Sequence, residues 1–119
     1  NNDIGLKIEF IIGDDDICRA EFTPRNSHVG FQNTTHGGII FSLLDDVMAN
    51  WLFLKNEIAQ TAKCELRYRR PLPINETVLL EGRLIKRKGQ VAVMHGLIIH
   101  KKARYIVAES NAKFMIVKP

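Results

Sequence analysis

Several classes of protein are excluded by what this chain of 119 residues has little of. No apolar run reaches the roughly 20 residues needed to cross a bilayer, and the most apolar stretch is interrupted by Asp45 and Asp46. The first residues, Asn1-Asn2-Asp3, carry neither a basic segment nor an apolar h-region, so they do not read as a secretory signal. There are only two cysteines, Cys18 and Cys64, with no CxxC spacing. Lone cysteines in apolar surroundings pack as small hydrophobes, so no disulfide is expected and a reducing, cytoplasmic setting fits. The four histidines, His28, His36, His95 and His100, show no HxxxH or HExxH spacing. No metal is expected on that pattern, and no cofactor is expected beyond a substrate's own groups. A G-x-S-x-G elbow is missing, which removes support for a serine-triad esterase. With no repeat, linker or low-complexity tract, residues 1–119 read as a single domain.

Positive charge, in contrast, is in excess. The net charge of +4 comes largely from three clusters: Arg67, Arg69 and Arg70; Lys86, Arg87 and Lys88; Lys101, Lys102 and Arg104. Such clusters attract a polyanion. Apart from Tyr68 and Tyr105, the basic stretches lack the aromatic platforms on which nucleic-acid bases stack, so no nucleic-acid partner is expected. A phosphorylated small molecule is the more economical partner, and a solvated basic face is the plain alternative.

Residues 6–12 and 17–23 read as short strands around the turn Gly13-Asp14-Asp15-Asp16, and Pro24 to Thr35 as a loop. Between Gly37 and Leu54 the apolar residues fall at 39, 40, 43, 44, 47, 48, 51, 52 and 54, which is the helical period, with Asn56 as the stop. Four extended stretches follow: Gln60–Arg69, Thr77–Arg87, Val91–His100 and Tyr105–Ile116. Short turns between them imply an antiparallel meander. The expected architecture is α+β: one long central helix wrapped by an antiparallel sheet of five to six strands. One helix covers one face of such a sheet and leaves an edge strand unpaired. A second copy of the chain is therefore expected before any site is considered.

The chemistry concentrates at the start of the helix, in Asn33-Thr34-Thr35-His36-Gly37-Gly38. Glycines there let the backbone approach a ligand, and first-turn amides lack intrahelical acceptors. A polarised carbonyl oxygen set against them would be stabilised as it becomes an oxyanion. A tight turn that merely needs glycine is the bland alternative. On a helical wheel Asp46 falls mid-way round the polar face. Asp45 falls at the border of the apolar face, on a line of small residues, Gly38, Ser42 and Ala49. Partial desolvation there suits a general base, so Asp45 is the preferred acid. Gly37 and Asp45 stand eight residues apart, about 12 Å along a helix. One carbonyl cannot touch both within a chain, so a shared reaction requires two subunits.

The segment HGGIIFSLLDDVM, residues 36–48, with Leu66-Arg67-Tyr68-Arg69-Arg70-Pro71-Leu72 after it, resembles the phenylacetate-pathway-type thioesterases of the hot-dog superfamily, along essentially the whole chain. The resemblance implies a hot-dog fold and hydrolysis of an acyl-coenzyme A, with coenzyme A present only as part of the substrate. It implies that Gly37 supplies the oxyanion-hole amide and that His36 supports that loop or the carbonyl. Asp45 of the partner subunit would act as general base or nucleophile, and Thr61 would position water. Substrate contacts are expected from Asn33, Gly38, Phe41 and Met48. The phosphates are expected at Arg69, Arg70, Lys86, Arg87 and Lys88. Many such proteins carry Asn six positions before the His, where this chain has Gly30. The expected assembly is a homodimer, with two dimers pairing into a homotetramer. Two other readings of the fold are a non-catalytic acyl-coenzyme A binding module and an acyl-thioester hydratase or dehydratase.

Overall fold

Alternation of apolar and polar residues builds the sheet, and β5 (Val91–His100) shows it most plainly. Ala92, Met94, Gly96, Ile98 and His100 point inward and are buried, while the intervening side chains are only half-covered. The computed structural model describes residues 8–25 and 36–118. In chain order these form β1 (Ile11–Ile12), β2 (Cys18–Phe22), α1 (His36–Phe53), β3 (Ile58–Tyr68), β4 (Val78–Lys88), β5 and β6 (Ile106–Lys118). The first expected strand survives among the described residues as two residues only. The six strands make one antiparallel sheet in the order β1-β2-β4-β5-β6-β3.

That order corrects the simple meander. β4, β5 and β6 are consecutive neighbours as expected, but β3 does not lie beside β4. Both edges of β4 are occupied, by β2 and β5, so β3 closes on the free edge of β6. The segment carrying Pro71 and Pro73, read from sequence as a short turn, is the crossover that carries the chain from one side of the sheet to the other.

α1 ends in a Schellman arrangement. Asn56 adopts φ 67°, its N–H donates to Phe53 O at 2.9 Å, and the Glu57 N–H donates to Leu52 O at 2.9 Å. The last turn is also pinned from the side. Trp51 Nε1 donates to Asp16 O at 2.8 Å, and Lys55 Nζ meets Asp16 Oδ1 at 2.6 Å. The acidic turn Asp14–Asp16 thus holds down the end of the helix.

Small residues set how deep the helix lies. A register row runs Cys18, Gly82, Gly96, Ser110 across β2, β4, β5 and β6. A Cβ added at Gly82 would stand 2.6 Å from Val47 O and 2.9 Å from Val47 C, so the helix backbone rests directly on the β4 backbone. At Gly96 the nearest atoms are side-chain atoms of Leu44 and Met48, at 3.2 to 3.4 Å. Leu43, Leu44, Val47, Met48 and Leu52 are all fully buried around this row. Both cysteines are free; burial pushes the Cys18 thiol up to about 11, so it packs as an inert apolar group.

Gly82→Ala should lower stability by roughly 1–3 kcal/mol or more, because backbone cannot yield as a side chain can. Gly96→Ala should cost less, since Met48 can change rotamer. Urea unfolding of the two variants beside the parent checks the order; equal losses would refute it.

Candidate active site

Thr61 and Asp45 are brought together by a local irregularity in β3. On a regular strand, residues three apart point to opposite faces. Thr61 pairs with Phe114 and Cys64 with Ala112, both buried positions of β6, so Thr61 and Cys64 share the inner face. The register shift between Thr61 and Lys63 makes this possible: Ala62 is an extra residue on β3, and the bulge resets the alternation. Thr61 Oγ1 thereby reaches the helix and donates to Asp45 Oδ1 at 2.7 Å. Both groups lie at the surface of the single chain, Asp45 half-buried and Thr61 exposed.

Asp46 behaves differently from its wheel position. It is half-buried rather than fully solvated, and its carboxyl is pushed above the usual range, chiefly by burial and then by the neighbouring Asp45 charge. A wheel fixes direction around the helix axis but carries no information about which neighbours cover that direction.

The other end of α1 forms a separate feature. Gly37 and Ile40 line a cavity of about 270 Å³ together with Tyr68, Arg69, Arg70, Pro71 and Leu72. Gly38 beside it is exposed. The basic residues expected to meet phosphate fall into two groups here. Arg69 is already engaged: its Nε and Nη2 donate to Glu109 Oε2 at 2.9 and 2.6 Å, and this contact holds the Glu109 carboxyl below its ordinary range. Arg87 is engaged likewise, through two bonds to the Glu57 carboxylate at 2.8 and 2.9 Å. Arg70, Lys86 and Lys88 have no carboxylate partner among the described residues. Instead, the Arg70 guanidinium lies over the Tyr105 ring, 4.6 Å from its centroid.

Within one chain these groups do not converge. The Arg69 and Arg70 amides bond to Val107 O near the start of β6, whereas Lys88 pairs with Val91, which pairs with Met115 near the end of β6. Eight residues of strand separate the two ends, about 26 Å. Asp45 and Thr61 lie toward the Met115 end, and Gly37 lies toward the Arg70 end. Phe41 is 41% exposed, whereas Met48 is fully buried against the sheet. Asn33 lies outside the described residues, as does the side chain of His36. Sequence reasoning missed Glu57 and Glu109, and read Tyr105 only as a ring among basic residues, not as the partner of Arg70. Their contacts depend on which strands pair, and no local signal in the chain carries that information.

The profile of the thioesterase superfamily matches residues 32–107, well over half the chain. The chain belongs to that superfamily. Its fold is the hot-dog fold, as the similarity to solved structures also shows. The hypothetical thioesterase protein of Streptococcus pneumoniae TIGR4, solved with an aspartate replaced by alanine, superposes with a TM-score of 0.83 at 14% identity, over 95% of this chain and 93% of that one. A second variant of it, with a threonine replaced by alanine, gives 0.82. The smu.793 protein of Streptococcus mutans UA159, bound to acetyl CoA, gives 0.82 at 15% identity, over 95% and 90% of the two chains. The E. coli PaaI protein of the phenylacetic acid degradation operon gives 0.80 at 21% identity, over 92% and 79%. No curated protein sequence matches the chain.

The raised Asp46 carboxyl has a consequence for stability. Because the folded state holds this proton more tightly than the unfolded chain, its contribution is full below the unfolded value of 3.8 and is lost as pH rises through the higher folded value. Asp46→Asn should therefore raise the melting temperature at pH 7, and the gain should shrink as pH falls toward 4. Thermal melts across that range measure it; a gain independent of pH would show that the charge of Asp46 is not its source.

Proposed function

We propose that the protein hydrolyses an acyl-coenzyme A thioester, and that each site is built by two copies of the chain. The observation that carries this reading is the 2.7 Å bond from Thr61 to Asp45 on a superfamily fold. The aspartate and the threonine replaced by alanine in the S. pneumoniae protein have the same separation along their chain as Asp45 and Thr61 have here. Further support comes from the S. mutans protein, which was solved with acetyl CoA, and from the S. pneumoniae protein, solved with coenzyme A.

Gly37 and Asp45 belong to opposite ends of one site but lie about 12 Å apart in one chain. A second copy related by a two-fold axis resolves this. β3 offers an 11-residue edge strand, and beside it the small residues Gly38, Ser42 and Ala49 are only partly covered. Antiparallel apposition there sets Gly37 of one subunit against Asp45 of the partner subunit. The same rotation turns the Arg70 end of one sheet toward the partner's Lys86–Lys88 end, gathering the cations that a single chain keeps apart.

In this arrangement the Gly37 N–H and the helix dipole polarise the thioester carbonyl. Asp45 either takes a proton from water as the water oxygen attacks the carbonyl carbon, or attacks that carbon itself to give an anhydride that water then opens. Thr61 holds Oδ1 of that carboxylate through its hydroxyl and leaves Oδ2 to act. The tetrahedral oxyanion rests on the Gly37 amide until the C–S bond breaks, and the departing thiolate takes up a proton to give free coenzyme A. Asn33 and His36 are assigned to the carbonyl side. Phe41, exposed on the helix, is assigned to the acyl side, whereas Met48, expected there from sequence, is buried in the core and is withdrawn from that role.

Release of free thiol from acyl-coenzyme A esters of graded chain length tests the activity; binding without thiol release would mark a carrier or regulatory module instead. Asp45→Asn should lower turnover by roughly 10²–10⁴ with the fold intact, as expected for a lost general base. Gly37→Pro deletes the amide donor at a first-turn position where proline is tolerated. Each variant alone should be nearly inactive, while an equal mixture refolded together should regain roughly a quarter of the parental activity, since half of the dimers carry one intact site of two. No recovery on mixing would place both groups in one chain and overturn the shared site.

A further inference from the structure

The cations near the Gly37 cavity are not equivalent, and the difference has a structural cause. Arg69 shares its guanidinium with Glu109, which leaves its charge neutralised. Arg70, also lining the cavity, faces an aromatic ring instead of a carboxylate. That ring belongs to Tyr105, and a second ring stacks on it. His100 lies with its centroid 4.9 Å from that of Tyr105 at an interplanar angle of 24°. Tyr105 thus contacts both Arg70 and His100 through its ring.

His100 is held from every side. It is 7% exposed; its Nδ1 accepts the Ala103 N–H at 2.9 Å, and its Nε2 meets the Glu76 carboxylate. Its backbone N–H donates to Tyr105 O at 2.9 Å, and its backbone O accepts from Arg104 N–H at 2.9 Å. The hairpin between β5 and β6, with Arg104 at φ 65°, is thereby fixed around the imidazole. A buried, doubly bonded ring gives Tyr105 a rigid backing, and Tyr105 gives Arg70 a flat one.

We infer that Tyr105, backed by His100, is a positioning residue that holds the Arg70 guanidinium flat at the mouth of the Gly37 cavity as a preformed clamp for a phosphate of coenzyme A. The inference rests on the acyl-coenzyme A reading of that cavity. Arginine has many rotamers in water, and ordering it on binding weakens affinity. Stacking restricts those rotamers before the ligand arrives while leaving the in-plane N–H groups free, the geometry that bidentate phosphate recognition uses. An aromatic face also stabilises a guanidinium without cancelling its charge, as the carboxylate does for Arg69.

Calorimetric titration of the full-length protein with coenzyme A tests the clamp. Tyr105→Leu should weaken binding roughly three- to tenfold, the range of a cation–π contact at a partly exposed site, and Tyr105→Phe should restore it. Arg70→Lys keeps the charge but not the plane, and should lose affinity to a similar degree; lying at the surface, it also serves should Tyr105→Leu not fold. In an Arg70→Gln background, Tyr105→Leu should cost nothing further, a coupling that a merely structural tyrosine would not show. Parental affinity in Arg70→Lys, or losses that simply add in the double variant, would overturn the inference. Thiol release by the parent from an N-acetylcysteamine thioester, which lacks the phosphates, reports on hydrolysis separately. The clamp without hydrolysis would refute the thioesterase reading alone, and hydrolysis without the coupling would refute the clamp alone.

Discussion

The close approach of the helix backbone to the sheet at Gly82 fixes the remaining geometry. A side chain at that position would meet the carbonyl of Val47, so α1 can lie at this depth only where β4 presents no Cβ. Depth and azimuth then follow together. With Val47 and Met48 seated over Gly82 and Gly96, Asp45 is carried to the border facing β3, and its carboxylate comes within reach of a strand hydroxyl. Asp45 is therefore placed by packing two residues further along the helix, and the core and the candidate site share one constraint.

β3 answers that constraint with a bulge. A perfectly alternating β3 that kept Cys64 and Leu66 inward would turn Thr61 outward, away from the helix. One extra residue at Ala62 reverses the phase for Thr61 without disturbing the pairing of Cys64, Glu65 and Leu66 with β6. Bulges commonly re-aim a side chain at a functional position, at the expense of local ladder bonds. Here the expense falls on an edge strand, where backbone groups are already open on one side.

Much of this was legible in the chain because the relevant signals are local. Helical spacing from Ile39 to Leu52 and strand alternation in Val91–His100 specify faces directly, and both elements appear within a residue or two of their expected bounds. The preference for Asp45 over Asp46 rests on direction on the wheel, and in the structure Asp45 accepts a hydrogen bond from Thr61. The half-burial of Asp46 was beyond the same wheel. What escaped the sequence was non-local. The meander expectation failed at β3 because strand order depends on which edges remain free. The roles of Glu57 and Glu109 followed from that failure: each neutralises an arginine 30 or 40 residues distant. A count of positive charge thus overstated the cations available to a ligand, and only the fold distinguishes Arg70 from Arg69.

On the proposed thioesterase reading, the polarity of α1 along the sheet makes association a chemical requirement as well as an energetic one. Its first turn and its acid lie toward opposite ends, and each end has half of what the proposed reaction needs: the first-turn backbone beside Arg70 at one, a carboxylate bonded by Thr61 at the other. A longer helix would not bring the halves together, because the separation is set by the rise per residue. Reversing a second helix against the first does so at once, and does it twice by symmetry. The open edge of β3 and the small residues Gly38, Ser42 and Ala49 lie on the side of α1 where such a copy must approach. In the proposed assembly, the same surface that leaves the single chain with an uncovered edge is the surface that completes the site, so selection for a closed edge and for a working site would act on the same residues.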